Sequence, residues 1–166
     1  LHGEVLSHRC LADALCALLA NKLDTLFIGA TELSTLLTDM FDELPPLRYV
    51  VAEDVLATVM RDPSIPDMLT VVLFHKGFHC LEAYRLTHWL WRSEREQLAR
   101  YLQSVNSETL SADIHPGARV GRGVYIAGGT GIVIGETAVV GDDVCILQSV
   151  TLGGTGKERG DRHPKV

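Results

Sequence analysis

The sequence predicts an α+β protein: an all-helical N-terminal part, then a solenoid of very short parallel strands. Three observations carry this. Apolar residues recur at helical spacing through residues 1–108 and stop doing so there. From Ile114 the period is six: Ile114, Val120 and Ile126, then Ile134, Val140, Ile146 and Leu152 after a two-residue phase slip. Four residues after each anchor stands Ala118, Val124, Thr130, Ala138, Val144, Val150 or Gly156, all small or β-branched. A sustained period of six fits neither a helix nor an alternating hairpin strand. It fits stacked coils, each hexapeptide forming one side and the aliphatics filling the axis. Glycines at 117, 121, 123, 135 and 141 are expected at corners with positive φ.

In chain order, Leu11, Leu15, Leu18, Leu19 and Leu23 form one stripe, with alanines between them favouring helix. Thr31 reads as the N-cap of a second helix carrying Leu33, Leu36, Leu37, Met40, Phe41 and Leu44, ended by Pro45-Pro46. A third helix runs from Leu47 to Met60, and Arg61-Asp62-Pro63 with Pro66 makes a turn. Asp67 caps the next segment, after which Phe78, Leu81, Tyr84, His88 and Trp91 trace a helical face ending near Arg92. Ser93 with Glu96 forms a capping box for a last helix ending near Gln103. Asn106 to Ser111 is a polar connector, so the boundary falls between 1–108, helical, and 109–166, the first coils. The helical part serves either to cap the open end of the coils or to associate with other copies.

The 166 residues are 46% hydrophobic with a net charge of −6, enough for a real core and against a general nucleic-acid surface. No apolar stretch approaches the roughly 20 residues of a membrane span, and no signal-peptide pattern opens the chain. Cys10, Cys16, Cys80 and Cys145 are scattered without a C-x-x-C pair, which suggests reduced, buried thiols in a cytoplasmic protein.

Polar residues with chemical potential cluster in few places. Asp113 and His115 share one face of a short strand, either as a working pair or as a turn residue and a surface imidazole. Asp161-Arg162-His163-Pro164 follows the loop Gly153-Gly154-Thr155-Gly156-Lys157; the Arg suits a carboxylate or phosphate and the His acid–base work, unless the loop is merely solvated. That loop lacks the spacing of a phosphate-binding P-loop. On the residues alone Asp62 is a turn residue. His79 and His88 are nine apart and form no i, i+4 metal pair, and no metal is expected.

The segments KGFHCLEAYRLTHWLW, DIHPGARVGRG, TGIVIGETAVVGDDVCILQSVTLGGTGK and GDRHPK resemble serine O-acetyltransferases, members of the hexapeptide-repeat acyltransferases. The resemblance runs from about Arg61 onward. It implies a left-handed β-helix behind the helical part, and trimers paired into hexamers. It implies acetyl transfer from acetyl-CoA to the hydroxyl of L-serine, giving O-acetylserine for cysteine synthesis. Carried over by motif, Asp113 orients the catalytic histidine, Asp62 holds the serine amino group, Arg162 holds its carboxylate, and His163 assists at the substrate. The loop around Gly154 lines the acetyl-CoA site.

The chain departs from that pattern at the base. Where the family has Asp-His-Ala-Thr-Gly, this sequence has Ala127-Gly128-Gly129-Thr130-Gly131, so Gly128 takes the base position and Ala127 that of a substrate-binding aspartate. Losing a general base costs about 10²–10⁴ in rate. The sequence reaches Val166 just after Asp-Arg-His-Pro-Lys, so the β-helix is expected to be incomplete here, as is the tail that docks into O-acetylserine sulfhydrylase. Three readings stand: an impaired serine O-acetyltransferase, a non-catalytic scaffold or regulatory relative, and another hexapeptide-repeat acyltransferase. The retained Asp62, Asp113, Arg162 and His163 favour the first over the third.

Overall fold

A computed structural model describes residues 7, 8, 10–157 and 159–166. The helical expectation for residues 1–6 and 9 lies outside the described residues. Six helices come first: α1 Leu11–Lys22, α2 Ala30–Glu43, α3 Leu47–Arg61, α4 Met68–Phe74, α5 Lys76–Arg92 and α6 Glu96–Leu110. Seven short strands follow: β1 Ala112–Ile114, β2 Arg119–Val120, β3 Tyr125–Ile126, β4 Ile132–Ile134, β5 Val139–Val140, β6 Cys145–Ile146 and β7 Thr151–Leu152.

The helices form largely where the apolar spacing demands. On α2 the stripe Leu33, Leu36, Leu37, Met40 and Phe41 is wholly buried. Pro46 ends the break after α2 and starts α3, and Asp67 caps α4 by accepting the Thr70 N–H at 2.7 Å. Two local expectations fail. The N-cap of α2 is Gly29 rather than Thr31, two residues earlier, because the Thr25 hydroxyl takes the Ile28 N–H at 3.1 Å and folds the preceding loop tightly up to Gly29. Ser93 caps the C-terminus of α5 instead of the start of α6, with Glu94 at φ 60 and the Arg95 N–H returning to the Leu90 carbonyl. The expected connector at 106–111 is helix as far as Leu110, since buried Asn106 is anchored by donating to the Cys80 carbonyl at 3.1 Å. A left-handed Ser111, φ 62, then turns the chain into β1.

The strands are all parallel and stack in three faces, β1-β4-β7, β2-β5 and β3-β6. Ile114 lies beside Ile134 and Ile134 beside Leu152; Val120 pairs with Val140 and Ile126 with Ile146. The coils differ in length. Ala112 faces Ile132, twenty residues on, whereas Val133 faces Thr151, eighteen on. The two-residue phase slip is thus the corner 127–131, which bulges from the first coil. Of the corner glycines expected at positive φ, only Gly123 adopts it; Gly117, Gly121, Gly135 and Gly141 do not. Gly121 and Gly135 are instead places where a side chain has no room: a Cβ would meet the Asp142 carboxylate at 2.4 Å or the His163 ring at 2.0 Å.

Helix α5 joins the two parts. It is buried nearly all round, which marks a central helix rather than an amphipathic surface one. One contiguous core runs from Leu15 and Leu37 through Phe78 and Leu86 to Ile114, Ile134 and Ile146. Among the described residues no strand lies beneath the first coil, and helix side chains satisfy its open edge instead. Tyr84 donates to the Ala118 carbonyl at 2.6 Å, Arg85 to Gly121 at 2.9 Å, Arg61 to Gly123 at 2.7 Å and His88 to Pro116 at 2.7 Å. The Val124 N–H donates to Asp54 at 2.9 Å. These bonds satisfy the backbone groups of that edge one by one.

Gly77, at the N-terminus of α5, sets how closely helix and coil approach. A Cβ there would lie 1.8 Å from the Ile126 carbonyl oxygen. Gly77→Ala is expected to destabilise the fold by about 1–3 kcal/mol, read as a lower midpoint in urea unfolding, since only backbone displacement relieves the clash. An unchanged midpoint would contradict this packing.

No described helix is long and apolar enough to cross a membrane. All four cysteines are free; Cys16 and Cys80 are buried, but Cys10 and Cys145 are exposed, so the expectation of buried thiols holds for two.

Candidate active site

Three polar groupings hold the residues singled out from the sequence. Asp62 follows the last residue of α3, where Asp62-Pro63 stops the helix. Its Oδ1 accepts the Ser64 hydroxyl at 2.6 Å and the Ser64 N–H at 3.0 Å, and Oδ2 accepts the Tyr125 hydroxyl at 2.9 Å. These bonds hold the carboxyl below the ordinary aspartate range, the Ser64 hydroxyl contributing most. Burial first and Asp62 second push the Tyr125 phenol up to about 12, so it stays a donor. His75 approaches Asp62 Oδ2 with Nε2 at 4.0 Å, while its Nδ1 accepts the Phe78 N–H and caps α5. Neither nitrogen is left as a free base.

Tyr125 in β3 leads into the corner 127–131. Gly128 is exposed at φ 65, Gly129 is at φ 64 and Gly131 at φ 69. A Cβ on Gly128 would meet nothing within 4 Å, so the family's base position opens on free space. Gly129 packs on α5, where a Cβ would stand 3.1 Å from Gly77 Cα and 3.4 Å from Cys80 Sγ. Lys76 Nζ donates to Thr130 Oγ1 at 2.6 Å, and the Gly131 N–H reaches Ser111 at 2.9 Å, tying the corner to the start of β1.

Asp113 and His115 lie on β1 and just after it. Asp113 is half-buried and its Oδ1 accepts Gln103 Nε2 at 2.6 Å. His115 accepts the Gly117 N–H on Nδ1 at 3.0 Å, packs edge-on to Trp91 and has Arg100 3.4 Å from Nε2. Burial chiefly lowers its basicity.

Arg162 and His163 fold back beside Gly154, where a Cβ would lie 3.1 Å from the Arg162 carbonyl and 3.6 Å from His163 Nε2. Arg162 donates to Glu136 Oε2 at 2.9 Å and to the Gly160 carbonyl at 3.1 Å. Its guanidinium holds the Glu136 carboxyl below the ordinary glutamate range.

The fold therefore joins Gly154, Arg162 and His163 on one ledge and sets Asp62 on another, against Tyr125, whose strand leads into the corner 127–131. Asp62 and Arg162 share no hydrogen-bond partner among the described residues. Sequence reading missed Tyr125, Gln103, Glu136 and Thr137. Tyr125 was legible, because alternation places it on the same strand face as Ala127. Gln103 was hidden by reading the end of α6 as a connector.

A family model described as "Serine acetyltransferase, N-terminal" matches residues 1–83. The chain is 47% identical over 165 residues to the serine acetyltransferase of Escherichia coli (strain K12), covering 99% of this chain and 60% of that protein. It thus spans about 60% of the length of this curated relative. Soybean serine acetyltransferase complexed with serine superposes with a TM-score of 0.95 at 43% identity, covering 99% of this chain and 68% of that one. Serine acetyltransferase from Brucella abortus strain S19 in complex with coenzyme A gives 0.96 at 41% identity, covering 99% and 66%.

Proposed function

The chain belongs to the serine acetyltransferase family, and from that premise we propose that it binds L-serine and acetyl-CoA as the acceptor and donor of acetyl transfer to the serine hydroxyl. The observation that carries this reading is the opposite charge of the two ledges. Asp62, held ionised by Ser64 and Tyr125, suits an ammonium; Arg162, braced by Glu136, suits a carboxylate. An α-amino acid presents both. Asp113 is the orienting carboxylate and His163 assists at the substrate, while Gly154 borders the pantetheine path of acetyl-CoA. The relatives crystallised with serine and with coenzyme A support this substrate pair.

In the same reading the coils wind left-handed, three copies pack coil to coil, and two trimers meet through the helical residues 1–108. Adjacent copies then bring an Asp62 ledge to an Arg162 ledge. Tyr49, Leu56 and Met60 on α3, exposed by 75%, 47% and 83%, support association through helices. The product is O-acetylserine for cysteine synthesis in the cytoplasm, with O-acetylserine sulfhydrylase as the partner of the longer protein.

A second reading, a ligand-binding scaffold without turnover, is favoured by the open space at Gly128 and by the engaged Nδ1 atoms of His75 and His115. The test is calorimetric titration with L-serine and with coenzyme A, alongside thiol release from acetyl-CoA. Binding of both with turnover about 10²–10⁴-fold below a base-containing relative is expected. Absence of binding by either ligand would overturn the proposed function.

A further inference from the structure

The imidazole of His163 sits in a seat built from three separate stretches of chain. Gly135 forms its floor: a Cβ there would lie 2.0 Å from Cδ2 and 2.1 Å from Nε2, so only glycine lets the ring lie against the coil. Gly154 flanks Nε2, as described above. Thr137 closes the third side and engages Nδ1 twice. Its N–H donates to Nδ1 at 3.1 Å, and its hydroxyl oxygen is 2.8 Å from the same atom.

The direction of the second bond follows from counting protons. A threonine hydroxyl has one proton and two lone pairs. The backbone N–H groups of Arg162 and His163 both donate to Thr137 Oγ1, each at 3.1 Å, and so occupy the lone pairs. The remaining hydroxyl proton points to Nδ1. The Asp161 carboxyl, held below its ordinary range mainly by Lys165 and slightly by the Thr137 hydroxyl, is the competing acceptor. Were the hydroxyl to turn that way, the Thr137 N–H would still occupy Nδ1. A proton on Nδ1 would meet that N–H head-on. The neutral ring therefore carries its proton on Nε2, the nitrogen that faces Gly154.

We propose that Thr137 is a positioning residue that fixes His163 as the Nε2–H tautomer, making His163 a hydrogen-bond donor to the carboxylate of the amino-acid acceptor and not a substitute for the base absent at Gly128. The donor role rests on the proposed function; the tautomer does not. The Arg162 guanidinium and the Nε2–H of His163 are both donors, which suits carboxylate oxygens, and neither accepts a hydroxyl proton.

Two-bond 1H–15N correlation spectra of the whole chain labelled with 15N-histidine read the tautomer directly, with His163 assigned by its loss in His163→Gln. A single Nε2-protonated pattern at neutral pH is expected. In Thr137→Val the Nδ1-protonated population should rise about fivefold, the worth of one neutral hydrogen bond, and Thr137→Ser should restore the original pattern. An Nδ1-protonated or imidazolium pattern in the parent chain overturns the proposal, as does a Thr137→Val spectrum identical to it. Addition of L-serine should then shift the Nε2 signals. Serine binding seen by calorimetry with Nε2 unmoved overturns the donor role; absence of serine binding instead counts against the proposed function, with the tautomer already decided in the ligand-free protein.

Discussion

Ala127→Asp combined with Gly128→His is expected to raise serine acetylation by about 10²–10⁴, the usual contribution of a positioned general base. The comparison is best made in a chimera completed with the C-terminal part of the Escherichia coli relative, by thiol release at saturating acetyl-CoA. The corner is ready to receive the side chains. Nothing lies within 4 Å of a Cβ at Gly128, so the new side chain starts out into open space. Its φ of 65 costs an L-residue about 1–2 kcal/mol, and histidine is among the side chains enriched in that region. Gln103 holds one oxygen of Asp113, and the other has no hydrogen-bond partner among the described residues, free to orient an imidazole. A double variant that binds serine yet gains no rate would show that the corner does not aim at the acceptor hydroxyl, and would favour the scaffold reading.

Arg85→Met is expected to cost about 3–5 kcal/mol, the penalty for leaving buried carboxylates without their cation. Arg85 bridges helices and coil. It donates to Asp54 Oδ2 through Nε at 3.1 Å and through Nη2, lies 3.5 Å from Glu82, and reaches the Gly121 carbonyl. Asp54 is fully buried and Glu82 nearly so. Burial outweighs the attraction of Arg85 and raises both carboxyls. Glu82 Oε1 has no partner as a carboxylate, which fits a protonated Glu82 donating to Asp54. Glu82→Gln keeps a donor in place and should change stability by less than about 1 kcal/mol.

The sign of the pH dependence follows from the raised carboxyl. Above pH 4.5, the ordinary glutamate value, the unfolded chain releases a proton that the folded chain keeps. Stability from this group is full below that value and falls as pH rises toward the folded pKa. Glu82→Gln removes the Glu82 share of that slope and leaves the share of the raised Asp54. Urea midpoints for the parent chain, Arg85→Met and Glu82→Gln across this window check both claims. A neutral Arg85→Met variant, or a slope left unchanged by Glu82→Gln, would contradict this account of the cluster.

Local chemistry made much of the chain legible. The six-residue period identified the coils because stacked anchors such as Ile114 and Ile134 must recur in register; the phase slip was visible too, and the strand register made it the corner 127–131. The Leu33 to Phe41 stripe marked α2 because a helix buries one face. The motifs carried Asp62, Asp113, Arg162 and His163 to one family site, and the same alignment exposed the vacancy at Gly128.

What the sequence could not carry were the contacts between distant segments. Ser93 and Asn106 were misread because capping and connector signals are weak beside tertiary anchors, here the turn back to Leu90 and the bond to the Cys80 carbonyl. Tyr84, Arg85 and Asp54 read as ordinary helix residues, yet they satisfy the open edge of the first coil across 30 to 70 residues of chain. The separation of Asp62 from Arg162, and the seat that turns His163 into a donor, were likewise decided by packing. Periodicity belongs to the backbone and is written locally; the partner of each buried polar group depends on which distant segment the closed core brings to it, and only the tertiary structure determines that.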